Sequence, residues 1–438
     1  MSPLDKQILR IALPSIVSNI TVPLLALADT AIAGHMGRVE YIGAVALGGT
    51  AFSMVYWLFG FLRMGTGGLT AQSCGAGDKA ESLRVLLRSL SLALLVGLAI
   101  IALRRPIGDA VFPLLNASGE IAPLARRYFD ILVWGAPAVL AMYSVTGWFV
   151  GMQNARFPMY VAVAQNVANI AASVALVWGF GLRIEGVAAG TLVAQYAGLA
   201  LAAAFWLSRY RTYWTRAGRA SLLRREALAR FFSVNRDIFL RTLCLIAVSS
   251  YFTAAGASHG SLTLAANTLL LQFFYIFSYV SDGLAYAGEA LGGCCCGAGN
   301  TTGFRALTRR LFCYGALTAC LFSLAYSLGG ASLLSLLTDE KVVVAEAFSY
   351  LPYAAAIPLA GIATFLFDGL FIGATRTGFM LLSMAAATAV FFALQKLFPS
   401  SNHALWLAYL AYLATRGIAQ GLLFPSTVKA IHRAGGTK

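Results

Sequence analysis

Residues 8–34 read ILRIALPSIVSNITVPLLALADTAIAG, an almost uninterrupted apolar run that carries Pro14, Pro23 and a single acid, Asp29. A secretory signal has an apolar core of about 7–15 residues followed by a small-residue cleavage site, and this run is too long and too polar for one. It has the length of a membrane span, which needs roughly 20 apolar residues. Runs of the same kind recur along all 438 residues. They predict twelve transmembrane helices at 8–34, 41–66, 83–103, 125–150, 157–179, 185–207, 237–258, 262–290, 306–330, 345–370, 378–398 and 403–425.

Composition agrees with a polytopic membrane protein. The chain is 59% hydrophobic and 11% charged with a mean hydropathy of +0.76, whereas soluble domains carry about 25% charged residues. This excludes a soluble globular enzyme, a disordered chain and a nucleic-acid binder. The net charge of +15 reads as a topology signal. With alternating spans, 21 Lys and Arg fall on the side of the termini, 8 on the opposite side and three (Arg63, Arg241, Arg416) within spans. The positive-inside rule then puts both termini and the basic segment 208–236 in the cytoplasm. That segment holds Arg209, Arg211, Arg216, Arg219, Arg224, Arg225, Arg230 and Arg236, and Leu222–Phe232 has the mixed apolar and basic spacing of a short interfacial helix.

Two anchors reveal an internal repeat. Cys74-Gly75-Ala76-Gly77 recurs as Cys296-Gly297-Ala298-Gly299, and Phe149-Val150-Gly151 as Phe371-Ile372-Gly373, both at an offset of 222 residues. Six spans per copy gives both copies the same orientation, hence a parallel repeat with a pseudo-two-fold axis along the membrane normal. The predicted organisation is an N-lobe over 1–207, a basic linker over 208–236 and a C-lobe over 237–438.

Polar groups inside spans are costly and mark function or helix pairing. The acids are Asp29, Asp282, Glu289 and Asp368; the bases are Arg63, Arg241 and Arg416. Asp29 stands out because Pro23 lies six residues before it in an otherwise uncharged stretch. Desolvation penalises the charged form of a carboxyl group. Protonation there would remove a charge from a helix that proline has already weakened. In the fifth span Gln165, Asn166 and Asn169 offer amides to the same cavity, and Tyr143 is a further candidate lining residue. Asp282, Glu289 and Asp368 are read either as coupling groups or as partners that hold the second lobe together. The seven cysteines and four histidines are too scattered for a metal site, and no disulfide is needed. No Walker lysine follows a glycine run, which argues against ATP-driven transport, and no nucleophile elbow is present.

Leu13-Pro14, Asp29-Thr30 and Gly34-His35-Met36-Gly37, with Gly151-Met152-Gln153-Asn154-Ala155-Arg156 and Pro158, resemble the multidrug and toxic compound extrusion (MATE) transporters. The second half resembles the DinF (DNA-damage-inducible protein F) branch through Leu240-Arg241-Thr242-Leu243, Asp282-Gly283 with Ala287 and Glu289, Asp368–Arg376 and Asn402-His403-Ala404-Leu405-Trp406. The resemblance spans essentially the whole chain. It implies a V-shaped, all-α fold of two six-helix lobes. It also implies antiport of organic, often cationic or amphipathic drug-like compounds against H⁺ or Na⁺, with Asp29 as the protonation switch.

One position departs from the family pattern Asn-Ile-x-x-Asp. Here the fifth span reads Asn169-Ile170-Ala171-Ala172-Ser173, so Ser173 replaces an acid. A hard cation wants several oxygen ligands, and the substitution favours proton over Na⁺ coupling. The expected protein is a monomeric exporter of the bacterial inner membrane, working by alternating access without a resident cofactor or metal. A lipid-linked precursor flippase of the same superfamily is the alternative, disfavoured because its groove should be strongly cationic. An enzyme or an inert scaffold fits less well, since no catalytic cluster accompanies the intramembrane acids.

Overall fold

The computed structural model describes residues 2–115, 119–216, 224–398 and 401–436; Arg219, Leu222 and Lys438 lie outside the described residues. The first half contains α1 (Pro3–Gly34), α2 (Val39–Trp57), α3 (Phe61–Gly75), α4 (Lys79–Ala102), α5 (Arg104–Leu114), α6 (Ile121–Leu132), α7 (Ala136–Gly151), α8 (Arg156–Val174) and α9 (Ile184–Tyr210). The second contains α10 (Arg225–Ser258), α11 (Ser261–Gly297), α12 (Thr301–Leu337), α13 (Lys341–Gly373), α14 (Thr377–Leu397) and α15 (Asn402–Gly436). No strand occurs among the described residues.

Eleven stretches are long and apolar enough to cross a membrane, with α2 joined to α3 and α6 to α7. The twelfth expected span falls in α15, whose apolar character is diluted by Arg416 and Gln420. Most helices outrun their apolar segments because hydrogen bonding continues into water. The basic segment holds a 3₁₀ helix at Arg211–Arg216, and the start of the expected interfacial helix lies outside the described residues. From Arg225 the segment is the first part of the 34-residue α10.

Three expected spans depart from a continuous α-helix, the fifth by passing into a π-helix at Ala175–Gly179. The second stops at Trp57 and restarts at Phe61, across Leu58-Phe59-Gly60. At the repeat offset Gly60 corresponds to Asp282, and there α11 runs unbroken, consistent with the low helix propensity of glycine. The fourth tightens into a 3₁₀ turn at Val133–Gly135, where Pro137 in the first turn of α7 withholds a backbone donor.

The 222-residue repeat is visible in detail. Asp78 caps α4 by accepting from the Glu81 amide at 2.8 Å, and Asn300 caps α12 by accepting from Gly303 at 2.8 Å. Gln153 and Thr375 share a positive φ, 60° and 51°. A Cβ on Gly147 would lie 2.1 Å from the Arg63 carbonyl oxygen; on Gly369 it would lie 2.1 Å from that of Ala285. On Gly151 it would lie 2.5 Å from the Gly67 carbonyl oxygen and on Gly373 2.5 Å from that of Glu289. Only glycine admits these backbone-to-backbone crossings of α7 on α3 and of α13 on α11.

Packing divides the chain into two compact units. One comprises residues 17–73 and 78–231; the other comprises 1–16, 74–77 and 232–438. This differs from lobes cut at 207 and 237: the first turns of α1 pack with the second half, because Gly283 on α11 lets Ala12 and Ile16 approach closely. The first unit's core centres on Trp148, Phe149, Trp206 and Tyr210, with the Trp148 indole donating to the Ser82 carbonyl at 2.8 Å. The second is built on Phe252, Phe273, Phe277, Tyr326 and Trp406. Asn267 anchors it by exchanging hydrogen bonds with Asn402 at 2.7 and 2.9 Å and accepting from the Trp406 indole at 2.9 Å. Leu317, Leu321, Leu324 and Leu328 form an exposed stripe on α12, an outer face suited to lipid.

Candidate functional site

In the first unit α1, α6, α8 and α9 converge on Asp29, which is 4% exposed. Its Oδ2 accepts from the Thr191 hydroxyl at 2.9 Å, and Thr191 in turn accepts from the Asn169 amide at 2.8 Å. The Tyr128 phenol adjoins the same carboxyl group, its ring seated on Gly48 of α2. Asn169 and Ser173 are one helical turn apart on α8 and both fully buried. Ser173 is held against α9 at Gly190, where a Cβ would lie 2.2 Å from its hydroxyl oxygen.

Three oxygens of this group, Asp29 Oδ1, Asn169 Oδ1 and Ser173 Oγ, are buried without a hydrogen-bond partner among the described residues. Buried polar atoms are normally satisfied. Unsatisfied acceptors grouped around one carboxyl can receive a proton on the carboxyl, or a water or cation among the oxygens. No Lys, Arg or His pairs with Asp29 among the described residues.

The other proposed cavity residues divide. Gln165 lies on the face of Asn169, one turn away, and packs on Gly198. Asn166 turns back to donate to the Ala162 carbonyl of its own helix at 2.9 Å. Tyr143 stands beside Arg63 and Tyr56, away from the Asp29 hydrogen bonds. Thr191 and Tyr128 were not signalled by the sequence reading. The Gly190-Thr191 pair, a close-approach residue followed by a hydroxyl within an apolar span, was the available clue.

The second unit treats its acids differently. Asp368 on α13 accepts through Oδ2 from both Arg241 (α10, 2.5 Å) and Arg416 (α15), and through Oδ1 from Gln420 at 2.6 Å. All four side chains are buried. Asp282 and Glu289 lie outside this hydrogen-bond set, on α11, the first half-buried and the second fully buried. Of the acids expected either to couple or to brace, Asp368 is ion-paired to two guanidiniums. Gln420 was missed, although it stands one turn beyond Arg416 on the same helix.

Eleven candidate spans in a doubled helical plan define a polytopic membrane protein. The MatE family profile matches residues 14–175 and 238–395, and the chain belongs to that family of multidrug efflux transporters, which are not enzymes. It is 38% identical to the DNA damage-inducible protein F of Escherichia coli (strain K12) across 95% of this chain and 91% of that protein. It is 24% identical to the chloroplastic Protein DETOXIFICATION 44 of Arabidopsis thaliana, across 86% of this chain and 74% of the relative. A crystal structure of MATE in the bent conformation superposes with a TM-score of 0.89 at 20% identity, covering 99% of this chain and 98% of that one.

Proposed function

We propose that this protein is a proton-coupled multidrug antiporter in which Asp29 is the coupling residue. The observation that carries the reading is the contrast between two buried acids. Asp368 is bound by two guanidiniums and an amide, whereas Asp29 meets only neutral groups, the Thr191 hydroxyl and the Tyr128 phenol, and no cation among the described residues. A carboxyl group that is buried beside neutral donors such as the Thr191 hydroxyl and the Tyr128 phenol, without a counter-charge, is neutralised by a proton or a bound cation. Ser173 stands where a second acid would complete a cation site, so the proton is favoured.

In this reading Asp29 takes a proton in the outward-facing state. Loss of the charge weakens its bond from Thr191, α1 bends at Pro23, and drug is released. Proton loss to the cytoplasm resets the site for a new substrate. The substrates are small organic compounds, often cationic or amphipathic, and the chain acts as a monomer in a bacterial inner membrane with both termini cytoplasmic. The test is ethidium transport in proteoliposomes under an imposed pH gradient without Na⁺, wild type beside Asp29→Asn. Gradient-driven transport that disappears in the variant supports the reading. Transport that survives removes Asp29 from coupling, and transport that requires a Na⁺ gradient replaces the proton.

A further inference from the structure

The Asp368 cluster does not balance. Arg241 and Arg416 each carry a permanent charge and five N–H donors, and both point at the same oxygen of one carboxylate. Gln420 occupies the other oxygen at 2.6 Å. The Nε–H groups of Arg241 and of Arg416 are buried and have no acceptor among the described residues, and Gln420 Oε1 is buried and has no donor among them. Tyr412 is the neighbouring ring that senses all three charges, with Tyr409 beside Arg416, and neither supplies a second negative charge. A brace between helices requires one guanidinium for one carboxylate. The second leaves a buried surplus of one positive charge, which is unfavourable without a partner.

We infer that the Arg241–Arg416 pair forms an anion site within the second unit, taking a halide or the carboxylate of an organic compound against its free guanidinium N–H groups. The planar fork of a guanidinium fits a carboxylate through paired hydrogen bonds, and one monovalent anion restores neutrality. At the repeat offset the four residues correspond to Asn19, Thr146, Ala194 and Gly198, so the site belongs to one half of the molecule only. Its ligand has the opposite sign to the proton handled at Asp29, and it is detectable by binding alone, whatever the transport cycle proves to be.

The experiment is thermal unfolding of the purified full-length protein at constant ionic strength, with isethionate, a bulky sulfonate that is neither halide nor carboxylate, replaced stepwise by bromide or, separately, by benzoate. The wild type is expected to show a saturable rise in midpoint with at least one of the two. Arg416→Gln should weaken the apparent affinity by about tenfold or more, the loss of one charged hydrogen-bonding partner, and Arg416→Lys should recover part of it. A response to bromide alone identifies a resident inorganic anion. A response to benzoate as well identifies a site for the acidic group of an organic ligand. No saturable response in the wild type, or an equal response in Arg416→Gln, overturns the inference; the wild-type arm decides even if the variant does not fold.

Discussion

Converting each buried acid to its amide should affect stability in opposite ways. Asp368→Asn keeps the shape but removes the only negative charge in the hydrogen-bond set of Arg241, Arg416 and Gln420. Two buried guanidiniums then face a neutral amide, and half of that amide is itself a donor. Removing one partner of a buried ion pair costs about 3–5 kcal/mol, roughly two to three and a half orders of magnitude in the folding equilibrium at about 1.4 kcal/mol per factor of ten. Asp29→Asn abandons no cation. Its amide oxygen can still accept from Thr191, and the same group of helices holds two buried acceptors without partners among the described residues, Asn169 Oδ1 and Ser173 Oγ. A neutral hydrogen bond contributes about 0.5–1.5 kcal/mol, so this variant should match or exceed the wild type in stability while losing proton-driven transport. The assay is tryptophan-monitored denaturation in a fixed lipid–detergent mixture, with size-exclusion profiles as a folding control. Equal destabilisation by the two substitutions, or a stable Asp368→Asn beside a collapsed Asp29→Asn, would refute the assignment of one acid as brace and the other as exchangeable.

Gly147→Ala and Gly369→Ala should each cost about 1–3 kcal/mol through overpacking, because their new methyl groups would lie 2.1 Å from a carbonyl oxygen. Gly329→Ala, with nothing within 4 Å, should be neutral or gain up to about 1 kcal/mol; the same denaturation assay ranks all three. Asn267→Ala strands the Asn402 amide and the Trp406 indole, at about 1–3 kcal/mol for each buried donor left unmet, read as a lowered unfolding midpoint. Thr191→Val deletes the hydroxyl that donates to Asp29 Oδ2 at 2.9 Å and should change the pH dependence of dye transport without abolishing folding; an unchanged profile removes Thr191 from the coupling site. Ser173→Asp restores a second acid beside Asp29 and should introduce Na⁺-dependent stabilisation that the wild type lacks.

Much of the architecture was legible because membranes impose length and polarity on sequence. Apolar runs located the helices, and two short motifs at one offset located the repeat. What escaped was local. Gly60 alone gives little warning that α2 ends, since glycine is frequent in spans, and the short α5 carries too few apolar residues to register as a span. At the site, Asp29 stands out because a charge in hydrocarbon is rare, Asn169 as an amide within an apolar span, and Ser173 as the departure from the family pattern. Thr191 and Tyr128 did not, as a hydroxyl in an apolar helix is inexpensive and unremarkable until its neighbours are known. The braced state of Asp368 was invisible for a different reason. Its partners Arg241 and Arg416 lie 127 and 48 residues away, and no periodicity links charges on three separate helices.

The matching glycine crossings bear on how such a chain could arise. A polypeptide written twice from one plan inherits a spare copy of every position. Here the backbone crossings stayed the same in both copies, while the residues at Asp29, Asn169, Ser173 and Thr191 have Tyr251, Phe391, Gln395 and Leu413 as their counterparts, two of them rings in edge contact at 5.7 Å. The duplicated ancestor would have carried one chemistry twice. Its descendant keeps a buried acid at this place in one copy and an aromatic filling in the other. A protein assembled from two first halves should therefore fold on the shared crossings yet couple twice, and one assembled from two second halves should fold and couple not at all.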